Sequence, residues 1–358
     1  MTFRRARAVL EASVVGEVAP AISAVVIARG EVVLATYHGT DARRGEPGGT
    51  PIGPEHRFDL ASLTKVIATG TLAALLVDRG SLDVDAPVSQ WLPRFTGPKA
   101  RITARQVLAH AAGFPSVAHG PGGDVEGWLA AIPLESRPGA RMRYCDPGFI
   151  TMGLVVERIC GASLDVAFEE QVAEPFGLSR TLFIPSRDPA PAAALRTELP
   201  LVPTERANRR GDVRRGVPDD DAARDLGGVA GHAGLFSTAA DVAALGQHWL
   251  AALGGRSRLL SRRTAELFTT RDETPGSSRA LAWDLPSGDQ PAIGSRFGRG
   301  PRGAFGHPGF TGTSLWIDVD AQVVCALLSN HCPSPGDTSR IRPFRRAFHD
   351  AVAEELGL

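Results

Sequence analysis

Lysine is nearly absent from this chain of 358 residues: of 39 cationic side chains, only two are lysines. Arginine keeps its proton under protein conditions, whereas a desolvated lysine can lose it. A neutral amine base is thereby excluded almost everywhere, and a position that keeps lysine stands out. Tyrosine is as scarce, with Tyr37 and Tyr144 alone. The four cysteines, Cys145, Cys160, Cys325 and Cys332, form no Cys-x-x-Cys pair. That removes the usual zinc and thioredoxin-type signals and leaves free thiols as the simplest reading. The nine histidines show no metal-ligand spacing, so no metal and no cofactor is expected.

An excess of one charge is missing too, since acidic and basic residues number 39 each. Nothing therefore favours nucleic acid or an anionic membrane as a partner. The arginine-rich stretches near Arg4, over 206–215 and over 340–346 read as solvated surface. No apolar run reaches the length of a membrane span. The arginines at the start are followed by Glu11 and Glu17 with no clean leader. The expected location is the cytoplasm, or the periplasm if a leader was removed. Gly-x-Ser-x-Gly is absent, which excludes the nucleophile elbow of α/β-hydrolases. A Gly-x-Gly-x-x-Gly string at Gly298, Gly300 and Gly303 has no helix after it and reads as a loop.

What is present has a clear order. Residues 3–17 carry an amphipathic helical pattern. Two strands, 21–28 and 31–37, follow as a hairpin around Arg29-Gly30. A second helix starts near Ser62 and ends at Gly80. The middle is helical, over 105–112, 148–159 and 165–174, and a capping box at Thr238 opens a helix to Leu253. Residues 185–225 read as a long irregular excursion. Strands over 312–318 and 322–329 and a helix over 343–355 close the chain. The pattern predicts an α/β (α+β) fold with an antiparallel sheet built from both chain ends and covered by the terminal helices. Residues 1–82 and 262–358 are assigned to the sheet domain and 83–261 to a large, mostly helical inserted domain, with the active site at the seam.

Three short segments carry chemistry. In Phe58-Asp-Leu-Ala-Ser62-Leu-Thr-Lys65, the helical spacing puts a hydroxyl and an amine on one face, one turn apart. Serine also caps helices, and a lysine one turn on is often a surface charge. Here Leu60, Leu63, Val66 and Ile67 surround the pair, which predicts a buried lysine with a lowered pKa. The second segment is Tyr144-Cys145-Asp146, whose phenol beside an ammonium would become more acidic and could carry protons; the alternative is a tyrosine packed at a domain seam. The third is Gly306-His307-Pro308-Gly309-Phe310-Thr311-Gly312. Its proline, lacking an amide hydrogen, predicts an edge strand, and its glycines permit close approach to a ligand; the alternative is a plain turn. His110 and His232 are read as histidines bonded to loop backbone, and Trp128, Trp249 and Trp283 as core.

In that order the three segments resemble the motifs of the serine β-lactamase and penicillin-recognising family, above all its class C β-lactamase-like esterases and D-peptidases. The runs 107–113, 227–238 and 305–318 are also similar to that family, and the likeness covers nearly the full chain. It implies a β-lactamase/transpeptidase-like fold in which Ser62 forms an acyl-enzyme and Lys65 and Tyr144 share the base role. The backbone amides of Ser62 and Phe310 would form the oxyanion hole, and Asp146, His307 and Gly309 would bind substrate. Departures from the family pattern are His307 for lysine, Pro308 for threonine, Asp146 for asparagine, and Asp219-Asp220-Asp221-Ala222 where some members carry His-Asp-x-Asn. The first three changes weaken recognition of an anionic substrate, and the last removes the histidine expected to touch substrate. The expected function is therefore a serine esterase or amidase acting on small uncharged acyl substrates. The alternatives are a β-lactamase or D-Ala-D-Ala-type carboxypeptidase or D-aminopeptidase, and a catalytically weak binding or sensor module. The partner in each enzymatic case is a small ester, amide or lactam.

Overall fold

A computed structural model describes residues 2–16, 18–42, 48–116, 123–187, 189–204, 215–288, 291–331 and 339–358. Among these lie eight strands: β1 Ala21–Ala28, β2 Glu31–Gly39, β3 Phe58–Asp59, β4 Leu182–Phe183, β5 Leu235–Ser237, β6 Ala304–Pro308, β7 Ser314–Asp318 and β8 Val323–Ser329. One sheet of five strands runs β2-β1-β8-β7-β6, and every pairing in it is antiparallel. The first two strands come from the start of the chain and the other three from its end, as the sequence pattern predicts. A smaller sheet, β3-β5-β4, gathers three short strands from distant parts of the chain.

β1 is buried on nearly every residue because both faces of the sheet are covered. Side chains alternate across a strand. Ile22, Ala24 and Val26 pack with Trp316, Leu327, Phe348 and Val352 under the terminal helices Arg4–Val15 and Ile341–Leu356. Val25 and Ile27 point the other way, into the large core that holds Leu315, Ile317, Val324, Leu245 and Trp249. That second face is covered by the helix Ala239–Leu253, which the sequence division placed with the helical part. The helix lies so close to the sheet that a Cβ on Gly246 would come within 2.5 Å of Val324 Cγ1.

Several boundaries differ from the sequence pattern. The helix expected over 105–112 covers only Ala104–Leu108, opened by a Thr103/Gln106 capping box, and His110 already has a left-handed φ of 57°. The segment after Ser62 is not one regular helix. A 3₁₀ turn, Ala61–Leu63, leads into a wide π turn, Lys65–Gly70, and then into the α-helix Thr71–Asp78. This stretch, Ala61–Asp78, is long and apolar enough to cross a membrane, contrary to the expectation that no run is; 83% of it is buried inside the protein, which makes it a core segment. The 185–225 region is not wholly irregular. It contains the helices Pro189–Glu198 and Asp221–Asp225, while residues 188 and 205–214 lie outside the described part. Thr238 caps its helix as expected through the Asp241 amide, but the Asp241 carboxylate turns away to Arg180 and Thr181. Cys145, Cys160 and Cys325 are free thiols, and Cys332 lies outside the described residues.

Candidate active site

The local backbone explains how Ser62 is presented. β3 ends at Asp59, and Ala61 then takes a left-handed φ of 46°, which a residue with a Cβ adopts only under constraint. The constraint is visible. One Asp59 carboxylate oxygen accepts the Ala61 amide at 2.9 Å, and the other accepts the Asp219 amide at 2.7 Å. The carbonyls of Asp59 and Leu60 accept the Thr311 and Thr313 hydroxyls at 2.8 and 3.1 Å. The turn before Ser62 is thus tied to the loop that follows β6. A Cβ on Gly309 would lie 2.6 Å from the Leu60 carbonyl and 2.1 Å from Thr313 Oγ1, so only glycine lets these two segments meet.

Ser62 is not a helix cap, since no backbone amide uses its hydroxyl. Its Oγ instead accepts the Tyr144 phenol at 2.7 Å and Lys65 Nζ at 3.1 Å. Lys65 is fully buried. Its ammonium has three acceptors for three protons: Ser62 Oγ, the His232 carbonyl at 3.1 Å, and Asp146 Oδ1 at 2.8 Å. Tyr144 and Asp146 reach the same lysine because Cys145 between them is extended, with φ −149° and ψ 134°, so that its neighbours point to one side. Asp146 begins the helix Asp146–Cys160, where a carboxylate is also favoured by the backbone dipoles.

These neighbours reverse two expectations. Burial does push the Lys65 pKa down and is the largest single influence, but Asp146 and Tyr144 together outweigh it and hold the amine above its ordinary value. Lys65 is an ammonium in this arrangement and not a free base. The Tyr144 phenol is not more acidic than usual. Burial raises its pKa, and the lowering effect of Lys65 only partly offsets that.

His307 and Pro308 lie within β6, at the edge of the five-stranded sheet, as the proline predicts. His307 Nδ1 donates to the Pro308 carbonyl at 2.7 Å. Burial, reinforced by Arg279 and Lys65, pushes its pKa well below the ordinary range, so the imidazole is neutral and supplies no cation. His110 accepts the Cys145 amide at 3.1 Å, in line with the expected backbone bond. It also stacks on Tyr144, with ring centroids 4.5 Å apart, and burial, Arg279 and Lys65 keep it neutral. His232 departs from expectation: its ring bonds the Asp220 carboxylate at 2.8 Å, and its own carbonyl holds Lys65. Phe310 follows Gly309 and is 37% exposed.

Sequence reasoning missed the groups that hold this arrangement. Asp59, Thr311 and Thr313 stand inside the segments already singled out, yet nothing in their spacing announces their bonds. Arg279 carries no motif at all. Its guanidinium carbon sits 5.2 Å from the Tyr144 ring centroid, and it is ion-paired with Asp284 at 3.4 Å with its side chain 11% exposed.

A serine hydroxyl held by a phenol and by a lysine one turn on, with an edge strand beside them, is the arrangement expected of a serine hydrolase of the penicillin-recognising fold. Residues 6–349 match the family model described as "Beta-lactamase", and the chain belongs to that family. An N-acetylmuramyl-L-alanine amidase of Bacillus subtilis (strain 168) is 33% identical over 308 residues, 78% of this chain and 68% of the relative. A putative D-alanyl-D-alanine carboxypeptidase of Escherichia coli (strain K12) is 31% identical over 306 residues, 78% of this chain and 70% of the relative. Among solved structures, that of "EstCE1, a hydrolase with promiscuous acyltransferase activity" superimposes with a TM-score of 0.73 over 98% of both chains at 22% identity, a likeness of fold. The protein is a serine hydrolase of the β-lactamase family.

Proposed function

We propose that the chain hydrolyses small esters or amides by two-step acyl transfer through Ser62. The observation that carries this reading is the Ser62 oxygen held between the Tyr144 phenol at 2.7 Å and the Lys65 ammonium at 3.1 Å. Ser62 Oγ attacks the acyl carbonyl, and Tyr144 takes its proton while passing a proton to the leaving group. Lys65 stays charged and stabilises the negative charge that builds on the two oxygens. The Ser62 and Phe310 amides receive the carbonyl oxygen as it becomes an oxyanion. Water then deacylates the serine along the same path, its proton returning through Tyr144 to Ser62. His307 and Gly309 line the edge strand beside the acyl group, and Asp146 serves as the counter-ion of Lys65.

Turnover of short p-nitrophenyl esters tests this directly. Ser62→Ala is expected to lose at least about a thousandfold in kcat, and a fluorophosphonate probe is expected to label Ser62 in the wild type only. Unchanged ester turnover by Ser62→Ala would refute the reading.

A second reading, a carboxypeptidase that takes a substrate carboxylate, is favoured by two observations. The Asp146 charge, expected to repel such a substrate, is neutralised by Lys65. Arg279 also brings a cation to Tyr144, which the third segment alone lacks. Matched acyl-D-alanine amides with a free or methylated carboxylate separate the two. A preference for the free acid that disappears in Arg279→Gln supports the carboxypeptidase, and indifference to that charge supports the esterase or amidase.

A further inference from the structure

The loop that follows β6 is gripped from behind by a single buried arginine. Arg345 lies in the first turns of the helix Ile341–Leu356 and is 6% exposed. Its Nη2 donates to the carbonyls of Gly309 and of Thr313, the latter at 2.8 Å, and its Nε donates to the Gly312 carbonyl at 3.1 Å. All three acceptors are neutral backbone oxygens of the same loop. The position is an expensive one for a cation. The N-terminal part of a helix disfavours positive charge, and a buried charge without an anionic partner is costly. Burial, and then Arg342, push its pKa down to about 9, which still leaves it charged at neutral pH. Packing alone would be served by an apolar side chain, as at the neighbouring Phe344 and Phe348.

The carbonyl of Gly309 and the amide of Phe310 belong to one peptide unit, which is planar. Whatever fixes the carbonyl oxygen also fixes where the amide hydrogen points. A cation on that oxygen draws electron density from the unit and makes its N–H a stronger donor. On the opposite side, the Thr311 and Thr313 hydroxyls bind the Asp59 and Leu60 carbonyls, so the loop is registered against the turn that presents Ser62.

We infer that Arg345 is a positioning residue for acyl transfer, aiming and polarising the Gly309–Phe310 peptide so that the Phe310 amide meets the developing oxyanion. This inference rests on the reading that Ser62 is the nucleophile and Phe310 an oxyanion donor.

The test compares p-nitrophenyl acetate with p-nitrophenyl thionoacetate, whose C=S accepts hydrogen bonds poorly, in wild type, Arg345→Lys and Arg345→Met. Losing one oxyanion donor commonly costs about a hundredfold or more in kcat, so Arg345→Met is expected to lose about a hundredfold and Arg345→Lys about tenfold, with KM within about twofold. The wild-type preference for the oxygen ester should shrink in each variant by a similar factor, which a merely structural role would not produce. A melting curve for each variant shows whether it is folded; if Arg345→Met is not, Arg345→Lys, which keeps the charge and the aliphatic stem, decides. Folded variants with kcat within about twofold of wild type, or with an unchanged oxygen-over-sulfur preference, would overturn the inference. Ser62→Ala is run in the same assay. If it retains turnover, the underlying reading fails whatever Arg345 does; if it is inactive while the Arg345 variants match wild type, only the inference fails.

Discussion

The chain's two lysines occupy two buried sites of similar outline and different chemistry. Lys99 is 7% exposed and donates to three carbonyls, those of Leu129 at 3.0 Å, Ala130 at 2.5 Å and Ile132, at the end of the helix Val125–Ala131. Phe114 lies under it, its ring centroid 5.7 Å away. Lys65 is also buried and also has three acceptors, but these include the Asp146 carboxylate and the Ser62 hydroxyl. Burial lowers the pKa of Lys99, whereas Asp146 and Tyr144 overcome burial at Lys65 and raise it. Both sites call for a compact head whose three donors diverge from one point, which a planar guanidinium cannot supply. Scarcity of lysine therefore marks the need for an ammonium. What makes one ammonium a helix clasp and the other the group proposed for catalysis is the identity of the acceptors.

The largest effect is expected at Lys65. Lys65→Arg should lower kcat/KM for a p-nitrophenyl ester at least about a thousandfold, because the fork cannot serve Asp146, Ser62 and the His232 carbonyl together. Steady-state kinetics checks this, and a variant with a tenth or more of the wild-type rate would remove the distinction between the two sites. Lys99→Met should leave activity per folded molecule within about twofold while costing about 2–3 kcal/mol of stability, since three buried carbonyls lose their donor. Urea titration measures the second quantity and the ester assay the first; loss of turnover in the folded variant would make the two lysines alike.

Asp146→Asn sharpens the contrast further. Without the carboxylate, burial becomes the dominant influence on Lys65, so its pKa falls. The ammonium is then lost at lower pH, and the alkaline limb of the kcat/KM profile is expected to move down by about one unit or more. A limb that stays in place would mean that Asp146 does not set the charge of Lys65.

Asp59 clamps the turn before Ser62 and bears on stability. Burial raises its pKa from 3.8 to about 7. Between those values the folded chain holds a proton that the unfolded chain has released, so stability falls as pH rises through that window and levels off above it. Melting temperatures from about pH 4 to about pH 8 should show this fall in wild type, and a flatter line in Asp59→Asn. Parallel curves for the two proteins would dismiss Asp59 as its source.

Much of the frame could be read before any coordinates. The near-continuous apolar run over 21–28 marks a buried strand, and the proline at 308 marks the sheet edge, because each follows from backbone geometry and burial alone. Helix ends were less legible. The helix at Ala104 stops before His110, whose left-handed backbone lets the ring accept the Cys145 amide and stack on Tyr144, a contact no local pattern announces. The same holds for Arg345 and Arg279, which reach the site from segments without a motif.

Ser62 and Lys65 were bound to meet by sequence alone, since one helical turn separates them and apolar neighbours carry both inward. Whether that lysine would be a base or a cation was left to the tertiary structure. Burial and opposite charge act on its proton in contrary directions, and the balance depends on how closely Asp146, Tyr144 and the His232 carbonyl are brought to one nitrogen by folding.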